Sequence, residues 1–430
     1  MSLPSSARKS YEKVLDREVT ALMHKTLLGQ ELDLPQPWAQ QGFTFRSTGL
    51  LCGLTQHEGG ACGVLAAVQA FVVRELLLAA EGGGGAGPRA ANREAAGAAL
   101  VGALAHIIWA ARVGRLASVV VCKRPTLPGL RDLAGELVCT ECTSLDAVRE
   151  AVQAGAGAFV RERGPGVAML LYSLLLTRGI AMVQRDADFP ASLIAPNGYC
   201  AQELVNLLLV GRAHSNVFDG EKVVGAVEGE AGSGARLRGI PKPSCVGFLT
   251  LFERQGADGA LLVVGSLLKR PINPVFVLQS ESHYSVCWLD GGGACPDVDP
   301  PKAEGEEEEE EETAGGGLGL GGGLGGGLGG GLGGGLGGGL GGGLGLGGLS
   351  LSGAPAKPPK APTNQSDGPF DVNFFDQMVL ERDTPYTLTL RRRAADAPAK
   401  AAADCVPLEN VLLTRWPDAV VDWNGEEPIL

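Results

Sequence analysis

The segment from Cys62 to Leu78 reads as a helix with no polar face, because Val64, Leu65, Ala66, Val68, Phe71 and Val72 fall on nearly every side of it. Such a helix cannot lie on a surface; it must be central, and the rest of the chain has to wrap around it. Its start carries chemistry. In GLTQHEGGACG, Gly59 and Gly60 permit a tight approach without side chains, and Cys62 then opens the helix. A thiol at a buried helix N-terminus meets the positive end of the macrodipole and free backbone N–H groups. Both favour the reactive thiolate, and an N–H there can hold an oxyanion. Gln56, six residues earlier, suits a side-chain amide donating to the same oxyanion. Most other thiols, Cys52, Cys122, Cys200, Cys245, Cys287, Cys295 and Cys405, lack any such setting and read as ordinary cysteines.

A thiol nucleophile needs a base, and there are only five histidines. His24 sits on an expected surface helix, Lys13 to Leu28. His106 lies in an apolar helical run as a core residue, and His57 is on the turn, facing solvent or substrate. His283 opens the strand HYSVCWL, directly after another strand, Pro274 to Gln279. A histidine on a strand that meets the end of the cysteine helix takes the thiol proton and later protonates the leaving amine, the papain-like arrangement. His283 is therefore the expected base, with His214 in reserve. Asp290 is seven residues further along the same strand, roughly 23 Å away at ~3.3 Å per residue. Asp376 and Asn373, on or just past the next strand, Phe370 to Phe375, are the candidates to orient His283.

Glycine, at 66 residues, concentrates in one tract. From Lys302 to Thr363 an acidic run leads into a Leu-Gly-Gly-Gly repeat and then APAKPPKAPT. Glycine loses too much backbone entropy there, and a lone Leu every fourth residue builds no core. The expected division is a tail at 1–21, a catalytic domain at 22–301, a disordered insertion at 302–363, and the rest of the catalytic domain at 364–430. Loop closure grows by only ~0.6 kcal/mol per doubling, so a domain can carry such an insertion. The net charge of −12 comes with no basic stripe, which argues against nucleic acid as partner. No apolar run of a secretion signal stands at the start. The apolar stretch Gly166 to Val183 is broken by Arg178 and reads as core rather than a membrane span. Reduced thiols and a cytoplasmic or nuclear setting are expected. Cys139 and Cys142 form a lone C-x-x-C without the second pair a zinc site needs, so no metal is expected.

Other elements read as a helix ending near Trp109, a buried strand at Ala117 to Cys122, and all-round buried helices at Val167 to Thr177 and Gln202 to Val210. Several of these segments carry a resemblance. QHEGGACGVLAAVQA resembles the Gln-x-x-Gly-Gly-Pro-Cys-Gly-Val-Leu-Ala-Ala-Val-Gln motif of the MINDY deubiquitinases, in the branch of the third and fourth members. LLYSLLLTRGI, NGYCAQELVNLLLVGRAHSNVFDG, VGFLTLFE, SESHYSV and RWPDAVVDWNGEEPIL extend the likeness along most of the chain from about residue 22. The resemblance implies an α/β (α+β), papain-like cysteine protease fold with the nucleophile helix packed on a sheet, and no cofactor. It implies hydrolysis of isopeptide bonds to ubiquitin, with polyubiquitin of the proteasome-targeting lysine linkage as substrate. Residue by residue, Cys62 matches the nucleophile, His283 the general base and Gln56 the oxyanion glutamine. Ala61 departs from the family's Pro before the nucleophile, which loosens the entry to the helix. That departure motivates an alternative, a ubiquitin-binding module with weak or no turnover. A papain-like acyltransferase or glutaminase shares the Cys/His logic without the long match.

Overall fold

The described residues open on a strand, within the 1–21 segment expected as a tail. β1 (Tyr11–Val14) runs up to Asp16, whose carboxylate accepts the Val19 amide and so caps α1 (Arg17–Leu28). The helix expected from Lys13 thus begins four residues later, and Glu12 and Lys13 lie on a strand instead. The computed structural model describes residues 11–225, 234–254, 262–290, 368–378, 384–394 and 402–427. The insertion expected at 302–363 lies outside the described residues.

After the short turn α2 (Gln36–Ala39) comes α3 (Cys62–Glu81), in which every residue from Cys62 to Val73 is buried. Asn92 caps α4 (Arg93–Ala110), which packs along α3. β2 (Ala117–Cys122) is followed by the turn α5 (Leu130–Leu133) and β3 (Leu137–Cys142). These strands pair antiparallel, and β1 adds to the free side of β3. α6 (Leu145–Ala154) covers this three-stranded sheet, and α7 (Ala156–Phe159) leads into α8 (Gly166–Arg178).

The apolar stretch around α8 is core. α9 (Ile180–Asp186) leaves α8 at an 85° bend, and Gly179 takes φ +80 at the break. Arg178 closes the corner by gripping Asp186 with two hydrogen bonds, of 2.8 and 2.7 Å. Among the described residues one unbroken helix, α3, is long and apolar enough to cross a membrane, and 78 % of that stretch is buried inside the protein.

α10 (Gln202–Val210) packs on α3 and is followed by β4 (Glu221–Val224) and β5 (Ala235–Arg238), which form a separate two-stranded sheet. The main sheet takes in β6 (Gly247–Thr250), then, past the turn α11 (Ser266–Lys269), β7 (Val275–Ser280), β8 (His283–Leu289), β9 (Phe370–Phe375) and β10 (Tyr386–Arg392). Beyond α12 (Pro407–Leu413) the chain returns as β11 (Ala419–Asp422). The order is β11-β10-β9-β8-β7-β6, antiparallel except for β6 and β7.

Side chains along β7 alternate between two cores. Val275 and Val277 join the cluster around α3, whereas Phe276 and Leu278 join a second cluster with α12. The sheet is therefore sandwiched, with α3 on one face and α12 on the other, in a mixed α+β arrangement. Trp416 and Trp423 pack into the second core. The last described strand, β11, pairs with β10.

Candidate active site

Cys62 is 3 % exposed and opens α3 immediately after Ala61, which stands at the N-cap with φ −85. Of the glycine pair before it, only Gly60 makes a close approach. Its φ is +119, and a Cβ there would lie 3.1 Å from the Trp38 indole nitrogen and 3.2 Å from the Gly198 carbonyl. Trp38 in turn donates to that carbonyl at 3.0 Å, pinning the 197–200 turn against the nucleophile loop. Cys200 extends the contact: a Cβ on Gly63 would sit 2.7 Å from its sulfur. The glycine on each side of Ala61 and Cys62 thus makes room for neighbouring groups that spacing does not reveal.

The Cys62 thiol lies 3.7 Å from the Ser282 carbonyl, beside the first residue of β8. α3 packs against β8, so a histidine at the strand's start meets a cysteine at the helix's start. His283 Nε2 is 2.7 Å from Asp376 Oδ2, and the ring also interacts with the Cys62 thiol. With Nε2 taken by the carboxylate, Nδ1 is the nitrogen left for the sulfur. Burial pulls the His283 pKa down, but hydrogen bonds to Asp376 and Cys62 and their charges outweigh it and push the group up to about 10. The imidazolium form is therefore favoured at neutral pH. Asp376 is itself fixed, since its second oxygen accepts the Met378 amide at 2.8 Å. Its side chain is 3 % exposed against 23 % for His283, so the imidazole faces incoming molecules and the carboxylate stands behind it.

Asn373, the other candidate, bonds elsewhere. It is fully buried on β9 and accepts from Arg89 at 2.8 Å. Asp290, expected to be out of reach, accepts from the Trp288 indole at 3.1 Å and pairs with Arg89 at 3.5 Å.

Gln56 lies on a segment that buried glutamines hold from both sides. Gln41 donates to the Thr55 carbonyl at 3.1 Å and accepts the His57 amide at 3.0 Å, bracketing Gln56. Gln69, from within α3, accepts the Leu54 amide at 2.6 Å and donates to the Cys52 carbonyl at 3.2 Å. The backbone of Gln56 is thus tied to the helix that carries Cys62. Its side-chain nitrogen, however, donates to the Glu58 carbonyl at 2.8 Å. The expected oxyanion donor is close in sequence but occupied by its own loop. Of these holding residues only Gln69 belongs to a motif legible in the sequence.

The other histidines have structural partners. His24 is buried rather than on a surface face, with Nε2 2.7 Å from the Tyr172 hydroxyl and Nδ1 2.6 Å from the Leu32 carbonyl. His106 rests against Phe71, and burial, helped by Arg74, Arg149 and Lys242, lowers its pKa to about 4. His57 bonds Thr44 at 3.2 Å, and His214 is held by the Gly239 carbonyl. Cys139 and Cys142 lie on β3, and among the described residues no group of three or more His, Cys, Asp or Glu could hold a metal ion. Cys142 donates to the Ala147 carbonyl at 3.5 Å, and burial pushes its pKa up to about 11. A cavity of about 320 Å³ adjoins the Gln56 segment, walled by Thr44, Arg46, Thr55, His57 and Glu162 among others.

Comparison with known proteins gives one family. Residues 24–295 match the conserved domain of the deubiquitinating enzymes MINDY-3/4. The chain is 31 % identical over 408 residues to the probable ubiquitin carboxyl-terminal hydrolase MINDY-4 of Mus musculus, covering 92 % of this chain and 44 % of that one. It is 39 % identical over 268 residues to the probable ubiquitin carboxyl-terminal hydrolase MINDY-4 of Homo sapiens (58 % of this chain, 33 % of that one). It is 32 % identical over 277 residues to the ubiquitin carboxyl-terminal hydrolase MINDY-3 of Homo sapiens, covering 57 % of this chain and 58 % of that one. The chain thus spans about half the length of the curated relatives it matches, between 33 % and 58 % for these three. No solved structure matches.

Proposed function

The chain belongs to the MINDY-3/4 family of deubiquitinating enzymes, and from that membership we propose that it is a thiol isopeptidase that releases ubiquitin from polyubiquitin conjugates. The observation that carries the reading is the line from Cys62 through His283 to Asp376, with the 2.7 Å bond at its far end. In this reading the site is papain-like. His283 holds the proton taken from Cys62, and the thiolate attacks the carbonyl carbon of the terminal glycine of ubiquitin. The tetrahedral oxyanion is met by N–H groups at the start of α3 and by the Gln56 amide once it leaves Glu58. His283 then delivers its proton to the departing lysine amine, leaving a thioester that water hydrolyses. Asp376 keeps the imidazole turned to the sulfur through both steps. The family likeness supports a lysine-linked chain of the proteasome-targeting type as substrate, and the free thiol suits a cytoplasmic or nuclear setting.

A ubiquitin probe carrying a C-terminal electrophile tests this directly. Wild type should become covalently labelled, and Cys62→Ala should not. A second reading, a ubiquitin-binding module with little turnover, is favoured by one observation, the hydrogen bond that occupies the Gln56 nitrogen at 2.8 Å. Probe binding without labelling would select that reading. Chains of defined linkage, offered separately, decide the substrate preference.

A further inference from the structure

Asp376 sits at the end of β9, where strand pairing runs out. The last pair joining β9 to β8 is Phe375 with Val286, and Asp376 follows it outside the strand. Something else must hold its peptide in place. That group comes from the opposite side of the site. Arg46 Nη2 donates to the Asp376 carbonyl at 2.9 Å, and its guanidinium lies over the Phe375 ring, 4.6 Å from the centroid. The same ring fills the space left by Gly53, where a Cβ would approach to 2.6 Å. One residue further on, the Gln377 carbonyl accepts the Gln56 amide at 3.2 Å.

Arg46 is itself anchored in the Gln56 segment. Its amide donates to the Gly53 carbonyl at 2.8 Å, next to the bridge between Phe45 and Leu54. A clasp therefore runs from the segment that Gln69 ties to α3, through Arg46, onto the peptide whose side chain grips His283. The proposal rests on the thiol-isopeptidase reading: we propose that Arg46 is a positioning residue of the reaction, holding the Asp376 peptide so that its carboxylate meets His283 Nε2. In this proposal Arg46 acts through Asp376, whose carbonyl it holds, rather than on the reacting atoms. Lysine cannot fully replace it, because an ammonium can reach one carbonyl but cannot lie flat on Phe375 while doing so.

The test uses the full chain with Arg46→Ala, Arg46→Lys and, as benchmark, Asp376→Asn. Two readouts are taken: kcat and KM on a ubiquitin conjugate, and the pH profile of Cys62 alkylation by iodoacetamide, followed on the Cys62 peptide by mass spectrometry. Thermal melting reports folding. Arg46→Ala should lower kcat by about 10- to 100-fold, within the span expected for loss of acid–base alignment, with KM within about twofold. Its alkylation profile should move toward that of Asp376→Asn, and Arg46→Lys should recover part of both. An Arg46→Ala chain that loses activity only as its melting temperature falls, with the alkylation profile of wild type, overturns the proposal. Should that variant not fold, Arg46→Lys decides alone: a wild-type profile and kcat would overturn it. Alkylation needs no ubiquitin, so the two readings separate. A wild type that the ubiquitin probe ignores, but whose Cys62 profile still answers to Arg46, rejects the isopeptidase reading and supports the positioning role.

Discussion

The two sides of Cys62 are built differently. On one, His283 and Asp376 stand at strand ends of a sheet buried on both faces, and they already hold each other at 2.7 Å. On the other, Gln56 sits on an irregular segment whose backbone is pinned by Gln41 and Gln69 while its amide nitrogen bonds Glu58 in its own loop. In the proposed mechanism the half that would move protons is assembled, while the half that would steady negative charge has its scaffold set and its donor turned inward. On the strand side the sheet sets most of the geometry and Arg46 holds the Asp376 peptide just past it, whereas the Gln56 loop needs internal hydrogen bonds to stay put, and those bonds compete with substrate.

The sharpest way to break this contrast is Cys62→Ala, which should abolish both labelling by the ubiquitin probe and turnover. His283→Ala should follow, lowering kcat by about 10³-fold, within the ~10²–10⁴ typical of general acid–base catalysis. Asp376→Asn should reduce kcat by about 10²-fold by freeing the imidazole to turn. It also carries a pH signature. The folded chain raises the His283 pKa to about 10, above the ~6.5 of a free histidine. The associated stability is complete below the unfolded value and disappears as pH rises through the folded one. Urea titrations should therefore show the gap between wild type and Asp376→Asn shrinking from pH 6 to pH 10. Gln56→Leu should lower kcat by less than a free oxyanion donor would, about 10- to 100-fold, because breaking the Glu58 bond offsets part of the gain. An unchanged kcat would leave the backbone amides as the whole oxyanion site. The smallest effect is expected for Ala61→Pro. With φ −85 at Ala61, proline fits and should stabilise the fold by about 0.4–1 kcal/mol, read as a rise in melting temperature.

Strands and helices buried all round were legible because their composition leaves no alternative. α3, α8, α10, β2 and β7 to β9 stand within a residue or a few of where their apolar runs place them. Elements with mixed composition were not. Glu12 and Lys13 gave β1 no alternation to read, and it exists because β3 offers an edge. β10 likewise pairs with β9 on one side and with β11 on the other. In the site, residue type and local spacing singled out Cys62, His283 and Gln56, of which the structure brings Cys62 and His283 together and turns the Gln56 nitrogen onto Glu58, and they left Asp376 and Asn373 as candidates beside His283. Choosing between those two needed Arg89, which claims Asn373 from 284 positions away. Arg46, Gln41 and Trp38 were invisible for the same reason: what they do depends on partners far along the chain, and nothing in their own neighbourhood marks them. His24 misled because a helix with charged residues looks exposed until Tyr172 is brought against it.

The pairing of β8 with β9 has a consequence for how the protein is made. His283 and Asp376 are separated by 93 positions. At synthesis rates of ~5–20 residues per second, roughly 5–20 s pass between the ribosome adding one and adding the other. During that interval the nascent chain carries its thiol and its imidazole but not the carboxylate that aligns them, nor the strand that completes this side of the sheet. Under the proposed mechanism full catalytic competence therefore arrives late in translation, and a chain truncated between His283 and Asp376 would leave the ribosome with a cysteine and a histidine but without the carboxylate that bonds the imidazole.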